Sequence, residues 1–339
     1  MTRTRWILTV VPAVVALAVG GTVAAAMARG GSSHPGALAT PTATASTTPR
    51  PPATSAATSA ATSNASKPAA GTTSTQPKPA TATGAPVHVS LLESDGQTYG
   101  VGMPIVARFT RTVTDAKAFE KAATVLVNGV PADGAWYWET SGANGYAVEA
   151  HYRGADYWPA HASIKVNLPV AGLSAGTGLV FDDSLNLSIA TGAEHVTTVD
   201  ASTKRMTVTS DGKPVKTLDV SLGKASTPTY QGTKIVMEFD RVQDMEGTPV
   251  PWSVRLTNSG EFIHAAPWNS QIGQANLSHG CTNLDTADAE WFYKFSLLGD
   301  VVQYPDAPGP TAKVWDGLGD WNVSWATWRA GGLLAGSGN

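Results

Sequence analysis

The residues in this chain best able to carry out chemistry are its single cysteine, Cys281, and a histidine 17 positions earlier, His264. Cysteine attacks as the thiolate, and an ordinary thiol is mostly protonated at neutral pH. An imidazole that takes the thiol proton, and is itself held by a third group, activates such a nucleophile. A lone cysteine with a histidine elsewhere is therefore a candidate pair of nucleophile and base. Cys281 could instead be structural, since free cysteines are among the most buried residue types.

The residues around this pair are more specific than the pair itself. Cys281 lies in the hexad Ser-His-Gly-Cys-Thr-Asn at 278–283, and His264 begins the run His-Ala-Ala-Pro-Trp at 264–268. These two motifs at this distance resemble the L,D-transpeptidase (YkuD) family of cell-wall enzymes. The run Ser-Leu-Gly-Lys-Ala-Ser-Thr-Pro-Thr at 221–229 is also similar to the family, and its Gly and Pro residues are expected to shape the backbone. The motifs favour the enzyme over a structural role for Cys281.

The resemblance implies a role for each residue near the pair. Cys281 is the nucleophile, and His264 is the general base, whose second ring nitrogen is held by the main-chain carbonyl of Ala265. Backbone N–H groups around His279, Gly280 and Cys281 form the oxyanion hole, and a glycine lets the backbone approach the acyl group without a Cβ. The residues expected to contact or shape the substrate site are Phe262, Trp268, Ser278 and Asn283.

Some of these assignments keep a second interpretation. His279 is either a structural hydrogen-bonding residue or a substrate-positioning one. Ser278 and Asn283 are expected to fix the loop more than to touch the acyl carbon, and the amide of Asn283 could bond the loop backbone. The lid segment 241–251 is short, so no lid residue is transferred from the family and acceptor recognition stays open.

The family's reaction has two halves. By resemblance, Cys281 attacks the carbonyl that joins a diamino acid to D-Ala in a donor tetrapeptide stem of peptidoglycan, which releases D-Ala and leaves a thioester. The diamino-acid amine of a second stem then forms a 3→3 cross-link, and carbapenem-type β-lactams are expected to acylate the same sulfur. Water as acceptor would make the chain an L,D-carboxypeptidase, and a protein lysine would make it a protein-to-peptidoglycan ligase. A wall-binding scaffold without activity is the non-enzyme alternative, and the intact motifs argue against it.

Composition disfavours other classes of partner. The formal net charge is −3 and no basic stripe is present, whereas nucleic-acid binding depends on neutralising phosphates with Lys and Arg. No metal or cofactor is expected, because the histidines outside the motifs are not spaced as a ligand cluster. Those histidines are His34, His88, His151, His161 and His195.

The N-terminal segment predicts export. Arg3 and Arg5 precede an uncharged run from Trp6 to Ala28, long enough to span a bilayer. Small residues near its end also offer signal-peptide cleavage sites. Residues 1–29 are therefore a signal peptide or a membrane anchor, with the length favouring an anchor. The rest of the chain is expected in the cell envelope, outside the cytoplasmic membrane. Residues 30–86, rich in Ala, Thr, Ser and Pro, are predicted to be a disordered linker.

The folded part is expected to be all-β, in two units. Residues 87–183 contain many short alternating segments separated by Gly, Asn and Pro, which predicts a β-sandwich. The sequence of this segment resembles that of the Ig-like domain that precedes the catalytic domain in two-domain L,D-transpeptidases. Its tryptophans Trp136, Trp138 and Trp158 are expected in the core rather than stacked on sugars.

The second unit, residues 184–310, is predicted to be a mainly-β YkuD-type catalytic domain with one short helix near 285–298. Ala287, Trp291 and Phe295 recur at helical spacing there, which predicts a core-facing stripe. Residues 311–339 form a Trp-rich C-terminal extension. We expect it to pack back on the catalytic domain, because several free Trp side chains would make a large exposed apolar patch.

Overall fold

The computed structural model describes residues 83–335. The segment predicted to be a signal peptide or anchor, 1–29, and nearly all of the predicted linker, 30–86, lie outside the described residues. Within 83–335, no helix has both the length and the apolar character needed to cross a membrane. The first strand begins at Ala85, so the last two residues assigned to the linker belong to the folded part.

The first unit is a β-sandwich of short strands with one helix. In chain order its elements are β1 (Ala85–Val87), β2 (Val89–Leu91), β3 (Thr98–Tyr99), β4 (Ile105–Phe109), α1 (Lys117–Ala122), β5 (Thr124–Val127), β6 (Val130–Pro131), β7 (Gly134–Thr140), β8 (Val148–Gly154), β9 (Ser163–Leu168), β10 (Ser174–Gly176), β11 (Leu179–Phe181) and β12 (Leu185–Thr191). The main sheets have the orders β2-β4-β8-β7 and β3-β12-β9-β5-β6, and β1-β11-β10 forms a small third sheet.

Alternation along the strands builds the core of this unit. In β9, Ile164, Val166 and Leu168 are buried and the residues between them are exposed, as a strand with one face on the core requires. Trp138 is 1% exposed and stacks on Phe109 with ring centroids 5.0 Å apart. Trp136 and Trp158 are also buried, which confirms that these tryptophans are core residues.

The boundary between the units differs from the predicted one. Strand β12 pairs antiparallel with β9 from Leu185↔Leu168 to Ala190↔Ser163, so it completes a sheet of the first unit. The prediction that the second unit begins at residue 184 is wrong, and the sandwich ends near Thr191. Strands β10 and β11 lie between β9 and β12 in the chain and belong to a different sheet, so the local pattern around residue 184 does not reveal this pairing.

The second unit is mainly β, which confirms the predicted fold class. Its elements are β13 (His195–Asp200), β14 (Arg205–Ser210), β15 (Lys213–Asp219), β16 (Gly232–Ile235), β17 (Glu238–Met245), β18 (Thr248–Arg255), β19 (Phe262–Ala265), β20 (Thr282–Leu284), α2 (Thr286–Phe295) and β21 (Val301–Tyr304). They form two sheets, β15-β14-β13-β21-β16 and β17-β18-β19-β20. Their facing sides enclose a core that includes Val254, Ile263 and Leu284.

Helix α2 is present where the sequence predicts it, but with a different buried face. Ala289 and Phe292 are buried, whereas Ala287 is exposed and Trp291 and Phe295 are half-buried. The predicted stripe is therefore wrong for Ala287, while Trp291 and Phe295 do pack against the core as partly buried residues. Trp291 and Phe295 are only half-buried, and their rings stack on each other with centroids 4.9 Å apart at the edge of the core.

The two units share a tightly packed junction. Gly100 N–H donates to the Leu298 carbonyl at 2.7 Å, and Gly102 N–H donates to the Gly299 carbonyl at 3.0 Å. A Cβ on Gly100 would lie 2.2 Å from the Asp300 amide nitrogen, so only glycine lets the two loops approach this closely. The described residues thus form one continuous body in which the sandwich supports the second unit.

The C-terminal extension packs on both units, not on the catalytic domain alone. It contains short 3₁₀ helices at Val314–Asp316 and Asp320–Asn322, followed by α3 (Trp325–Trp328). The Asn322 carboxamide exchanges hydrogen bonds of 2.7 Å with the backbone of Thr233 in the second unit. Trp328 is fully buried and donates to the Ala135 carbonyl of the first unit at 2.9 Å. The predicted destination of the extension is therefore corrected, because Trp328 and the backbone of Gly331 and Leu333 bond to the open edge of β7.

A buried ionic cluster holds the extension to the sandwich. His151 on β8 is fully buried, with Nδ1 at 2.8 Å from Asp320 Oδ1 and Nε2 at 3.2 Å from Glu149 Oε2. These carboxylates raise the pKa of His151 well above its ordinary value, against the opposing effect of burial. The Arg153 guanidinium lies 4.2 Å from the Trp328 ring centroid and donates to the Asp320 carbonyl. A cation over an aromatic face in a desolvated place is a favourable arrangement.

This packing makes Trp328 a stabilising residue. Trp328→Ala is expected to lower the free energy of unfolding by about 3–5 kcal/mol, the usual cost of truncating a buried Trp. Trp315→Ala is the matched control: its side chain is 62% exposed, and we expect a change within about 0.5 kcal/mol. Urea unfolding followed by fluorescence measures both. An equal loss of unfolding free energy in the two variants would contradict the conclusion that the C-terminal extension, here called the C-terminal strap, stabilises the fold through Trp328.

Candidate active site

The pairing of two parallel strands brings His264 and Cys281 together. β19 and β20 pair in parallel with His264 opposite Asn283. Cys281 directly precedes β20, so this pairing brings the cysteine to the end of the strand beside the one that carries His264. Two parallel neighbours need a crossover of a dozen or more residues, which explains the 17-residue spacing in the sequence. Both residues line one cavity of about 890 Å³.

His264 is held in one tautomer. Its Nδ1 lies 2.8 Å from the carbonyl oxygen of Ala265, which can only accept, so the proton is on Nδ1. Nε2 is then unprotonated and able to take a proton. His264 is 4% exposed, and this burial lowers the pKa of its imidazole below the ordinary value. The contact to Ala265 is the one the family resemblance implies.

The Cys281 thiol is protonated at rest. Burial raises its pKa to about 11, while the Phe262 amide opposes that effect. The sulfur donates to the Gly260 carbonyl at 3.6 Å, so in this structure its hydrogen bond goes there and not to His264. The pair is therefore a neutral thiol beside a neutral imidazole.

Ser278 shapes the loop that carries the cysteine. Its hydroxyl accepts from the Gly280 N–H at 3.1 Å and donates to the Cys281 carbonyl at 2.6 Å. The loop-fixing role expected for Ser278 is visible in these contacts. They also change the predicted oxyanion hole, because the Gly280 amide is already engaged. Within residues 83–335, the N–H groups of His279 and Cys281 have no acceptor.

The backbone at Gly280 takes a conformation that favours glycine, with φ of 123°. The neighbouring His279 is exposed, and its Nε2 accepts from the Lys224 ammonium at 3.0 Å. His279 thus has a structural partner, while its ring still lines the cavity. Both interpretations of His279 are compatible with this placement.

The other predicted site residues line the same cavity in different ways. Phe262 is buried, with the Arg255 guanidinium 4.3 Å from its ring centroid. Trp268 is 55% exposed, and its ring centroid lies 6.2 Å from that of His264, so it forms an apolar wall at the mouth. The Asn283 backbone pairs with Ser221, but its side-chain Oδ1 is buried without a partner in the described part of the chain. Because Asn283 lines the cavity, a ligand N–H bound there could satisfy this acceptor.

Sequence reasoning missed a buried ion pair behind the loop. Lys234, 1% exposed, donates to Glu261 Oε2, and Glu261 Oε1 accepts from the Tyr230 amide at 2.7 Å. The Lys234 ammonium also lies 3.8 Å from the ring centroid of Tyr304. Glu261 lies three residues before the motif histidine, but no sequence signal pairs it with a lysine 27 positions earlier.

The β17–β18 hairpin forms one wall of the cavity. Its turn at Glu246-Gly247 has positive φ at both residues, as a tight two-residue hairpin needs. Asp244 and Glu246 at the tip line the cavity together with Met245. This is the segment that the sequence could not assign, and it brings carboxylates to the cavity rim.

One group of side chains outside the cavity could hold a cation by composition. Ligand atoms of Glu139, Glu149 and His151 lie within 4.8 Å of one another. However, both His151 ring nitrogens already bond to carboxylates that balance its charge. The group belongs to the first unit and is explained by the ionic cluster that holds the C-terminal extension.

Comparison with known proteins agrees with this architecture. Residues 194–303 match the YkuD family, the L,D-transpeptidase catalytic domain, and residues 22–174 match a bacterial Ig domain. The first match begins at residue 194, next to the start of β13, which agrees with the assignment of β12 to the first unit. The fold and the site thus define a two-unit protein with a YkuD-type domain.

Similarity to curated proteins narrows the assignment. The chain is 34% identical to L,D-transpeptidase 2 of Mycobacterium tuberculosis over 271 residues, 75% of this chain and 65% of that protein. It is 30% identical to L,D-transpeptidase 1 of the same species over 234 residues, covering 84% of that protein. The chain belongs to the L,D-transpeptidase family. It spans just under two thirds of L,D-transpeptidase 2 and about half, 54%, of L,D-transpeptidase 5.

Solved structures give the same result. The fold is similar to an L,D-transpeptidase in complex with imipenem, with TM-score 0.53, 26% identity and coverage of 63% of this chain and 97% of that one. An L,D-transpeptidase from Mycobacterium smegmatis gives TM-score 0.52 and 28% identity, covering 66% of this chain and 100% of that one. L,D-transpeptidase 3 from Mycobacterium tuberculosis, in complex with a faropenem-derived adduct, gives 0.51 and 25%, covering 64% of this chain and 97% of that one.

The protonation state of the thiol has a direct test in alkylation rates. With a thiol pKa of about 11, the rate of Cys281 alkylation by iodoacetamide should rise about tenfold per pH unit through the neutral and mildly alkaline range, because only the thiolate reacts. In the unfolded protein the same thiol should level off near its ordinary pKa of about 8.5. A plateau in the folded protein at neutral pH would indicate a resting thiolate–imidazolium pair and contradict the neutral site.

Proposed function

We propose that this chain is a peptidoglycan L,D-transpeptidase that works through a thioester on Cys281. The observation that carries the proposal is the arrangement of the cavity. A thiol directly before one of two parallel strands and an imidazole with an unprotonated Nε2 on the other line one cavity, beside loop amides that have no acceptor in the described chain. Nucleophile, base, orienting carbonyl and oxyanion donors are the parts that acyl transfer needs.

In the first half of the proposed reaction, the thiol gives its proton to His264 Nε2 as sulfur bonds to the carbonyl carbon between the diamino acid and D-Ala. The carbonyl oxygen becomes an oxyanion that the free amides of His279 and Cys281 receive. When the tetrahedral intermediate collapses, the C–N bond breaks and His264 returns the proton to the D-Ala amine. The product is a thioester on Cys281 and free D-Ala.

In the second half, a diamino-acid amine of another stem attacks the thioester carbon. His264 takes a proton from that amine, the C–S bond breaks, and the proton returns to sulfur. The carboxylates of Asp244 and Glu246 at the cavity rim favour the approach of this amine as a cationic ammonium, which gives up one proton to solvent before it attacks as the neutral amine. The buried, unpartnered Oδ1 of Asn283 would accept an amide N–H of a bound stem. The result is a 3→3 cross-link.

We also propose that β-lactams acylate the same sulfur. Two similar proteins were solved with imipenem and with a faropenem-derived adduct, and their folds match this one. A strained lactam carbonyl would enter the same oxyanion site and open on attack by Cys281. The proposed place of action is the cell envelope, outside the cytoplasmic membrane, where peptidoglycan stems are accessible and where the first thirty residues would direct the chain.

The experiment is incubation of the protein with tetrapeptide muropeptides, followed by mass spectrometry. Wild type should release D-Ala and yield dimers joined through two diamino acids. Cys281→Ala should lower this rate by at least on the order of 10⁴-fold, as removal of a catalytic nucleophile does. His264→Gln should also lose activity, whereas His161→Gln, whose side chain is 67% exposed in the first unit, should not.

The products decide between acceptors. Tripeptide monomer without dimer would identify water as the acceptor and remove the transpeptidase proposal in favour of an L,D-carboxypeptidase. A stem joined to an added lysine-containing protein would favour the ligase instead. Absence of every product from wild type would leave the non-enzymatic scaffold as the better description and would contradict the proposal.

A further inference from the structure

We propose that the buried hydroxyl of Thr229 is a positioning residue that aims the Cys281 N–H into the oxyanion site. This inference deepens the function proposed above and rests on it. Thr229 lies in the loop between β15 and β16, far from Cys281 in sequence, and is fully buried. It does not line the cavity, so any effect on the reaction must pass through the backbone of the cysteine loop.

The hydrogen bonds of Thr229 are determined by their partners. Its Oγ1 accepts from the Gly223 N–H at 2.9 Å, because an amide can only donate. Its single hydroxyl proton is therefore directed to the Gly280 carbonyl, 2.8 Å away. The Thr229 side chain thus joins the loop that carries it to the peptide that precedes the nucleophile.

That peptide carries the oxyanion donor. The Gly280 carbonyl and the Cys281 N–H belong to one planar trans unit, in which C=O and N–H point in opposite directions. Holding the carbonyl against Thr229 therefore turns the N–H away from Thr229, and that N–H has no acceptor within the described residues. Gly280 has no side chain to restrict its rotation, so the peptide needs an external anchor.

The surrounding contacts show that Thr229 and Ser278 hold different groups of the cysteine loop. Ser278 fixes the next carbonyl, that of Cys281, and occupies the Gly280 N–H. Ser278 thereby leaves the Gly280 carbonyl to Thr229. The Tyr230 amide, next to Thr229, is in turn held by Glu261 of the buried ion pair. The bond at Tyr230 therefore fixes the backbone next to Thr229, and the Thr229 hydroxyl in turn fixes the peptide between Gly280 and Cys281.

The consequence is a selective effect on acyl chemistry. Acylation passes through an oxyanion and needs the Cys281 N–H in place before the reaction begins. Alkylation by iodoacetamide displaces iodide at a methylene carbon and forms no oxyanion. A residue that only aims the amide should affect the first reaction and leave the second unchanged.

The test compares Thr229→Val and Thr229→Ser in the full-length protein. Valine keeps the shape but removes the hydroxyl, and the imipenem acylation rate should fall by about 10- to 100-fold, below the roughly 10²–10³-fold cost of deleting an oxyanion donor. The iodoacetamide rate should equal that of wild type. Serine keeps the hydroxyl and should restore most of the acylation rate. Both rates are measured by intact-protein mass spectrometry, at a temperature where circular dichroism shows every variant folded.

Thr191→Val is the matched control. Thr191 is also buried, and its hydroxyl likewise accepts from an amide, that of Ala162, and donates to a carbonyl, that of Pro159. It lies in the first unit, so losing its hydroxyl should lower stability without changing acylation or alkylation.

Three results would overturn the inference: an unchanged acylation rate in Thr229→Val, an equal fall in acylation and alkylation, or no recovery with serine. Failure of the wild-type protein to react with imipenem or to transfer a stem would instead contradict the proposed function. The two failures are therefore distinguishable, because the Thr229 variants are compared with the wild type only when the wild type is active.

Discussion

One hydrogen bond, from the Nδ1–H of His264 to the carbonyl of Ala265, sets the protonation state on which the rest of the site depends. Because the acceptor is backbone, it is present whatever side chain follows the histidine, and it cannot lose its function by protonation. It leaves Nε2 as the free base. Burial then disfavours charge on both partners: it lowers the pKa of the imidazole and raises that of the thiol to about 11. The site therefore rests as a neutral pair, and in the proposed reaction charge develops only during attack, where the loop amides would stabilise it.

The fold explains how such a pair is assembled and protected. The pairing of β19 with β20 sets His264 against Asn283, two residues after Cys281, and the crossover between the strands forms the loop that carries the cysteine. Two buried hydroxyls, from Ser278 and Thr229, then hold successive carbonyls of that loop. The sandwich and the C-terminal strap contribute at a distance, by packing against the unit that carries these strands. Rigid support of this kind is what preorganised donors require.

The sequence allowed prediction of the parts governed by local pattern or motif. The hexad and the upstream run predicted Cys281 and His264 as a pair, which the fold brings to one cavity, and the resemblance predicted the Ala265 contact. Alternation located most strands. Features that depend on long-range pairing were not predictable. The assignment of β12 to the sandwich depends on a partner strand well away in the chain, and the face of α2 depends on which sheet it meets. Thr229 is the clearest case, because the run that contains it resembles the family, yet its bond to a carbonyl 51 residues later appears only in the fold.

The most direct measurement of the central claim is nitrogen NMR of the protein with ¹⁵N-labelled histidine, with His264→Gln used to assign the His264 signals. At neutral pH the account predicts a protonated Nδ1 and an unprotonated Nε2 in His264. Signals from two protonated nitrogens would show an imidazolium paired with a thiolate. A proton on Nε2 alone would show the opposite tautomer, and either result would contradict the neutral, carbonyl-held base.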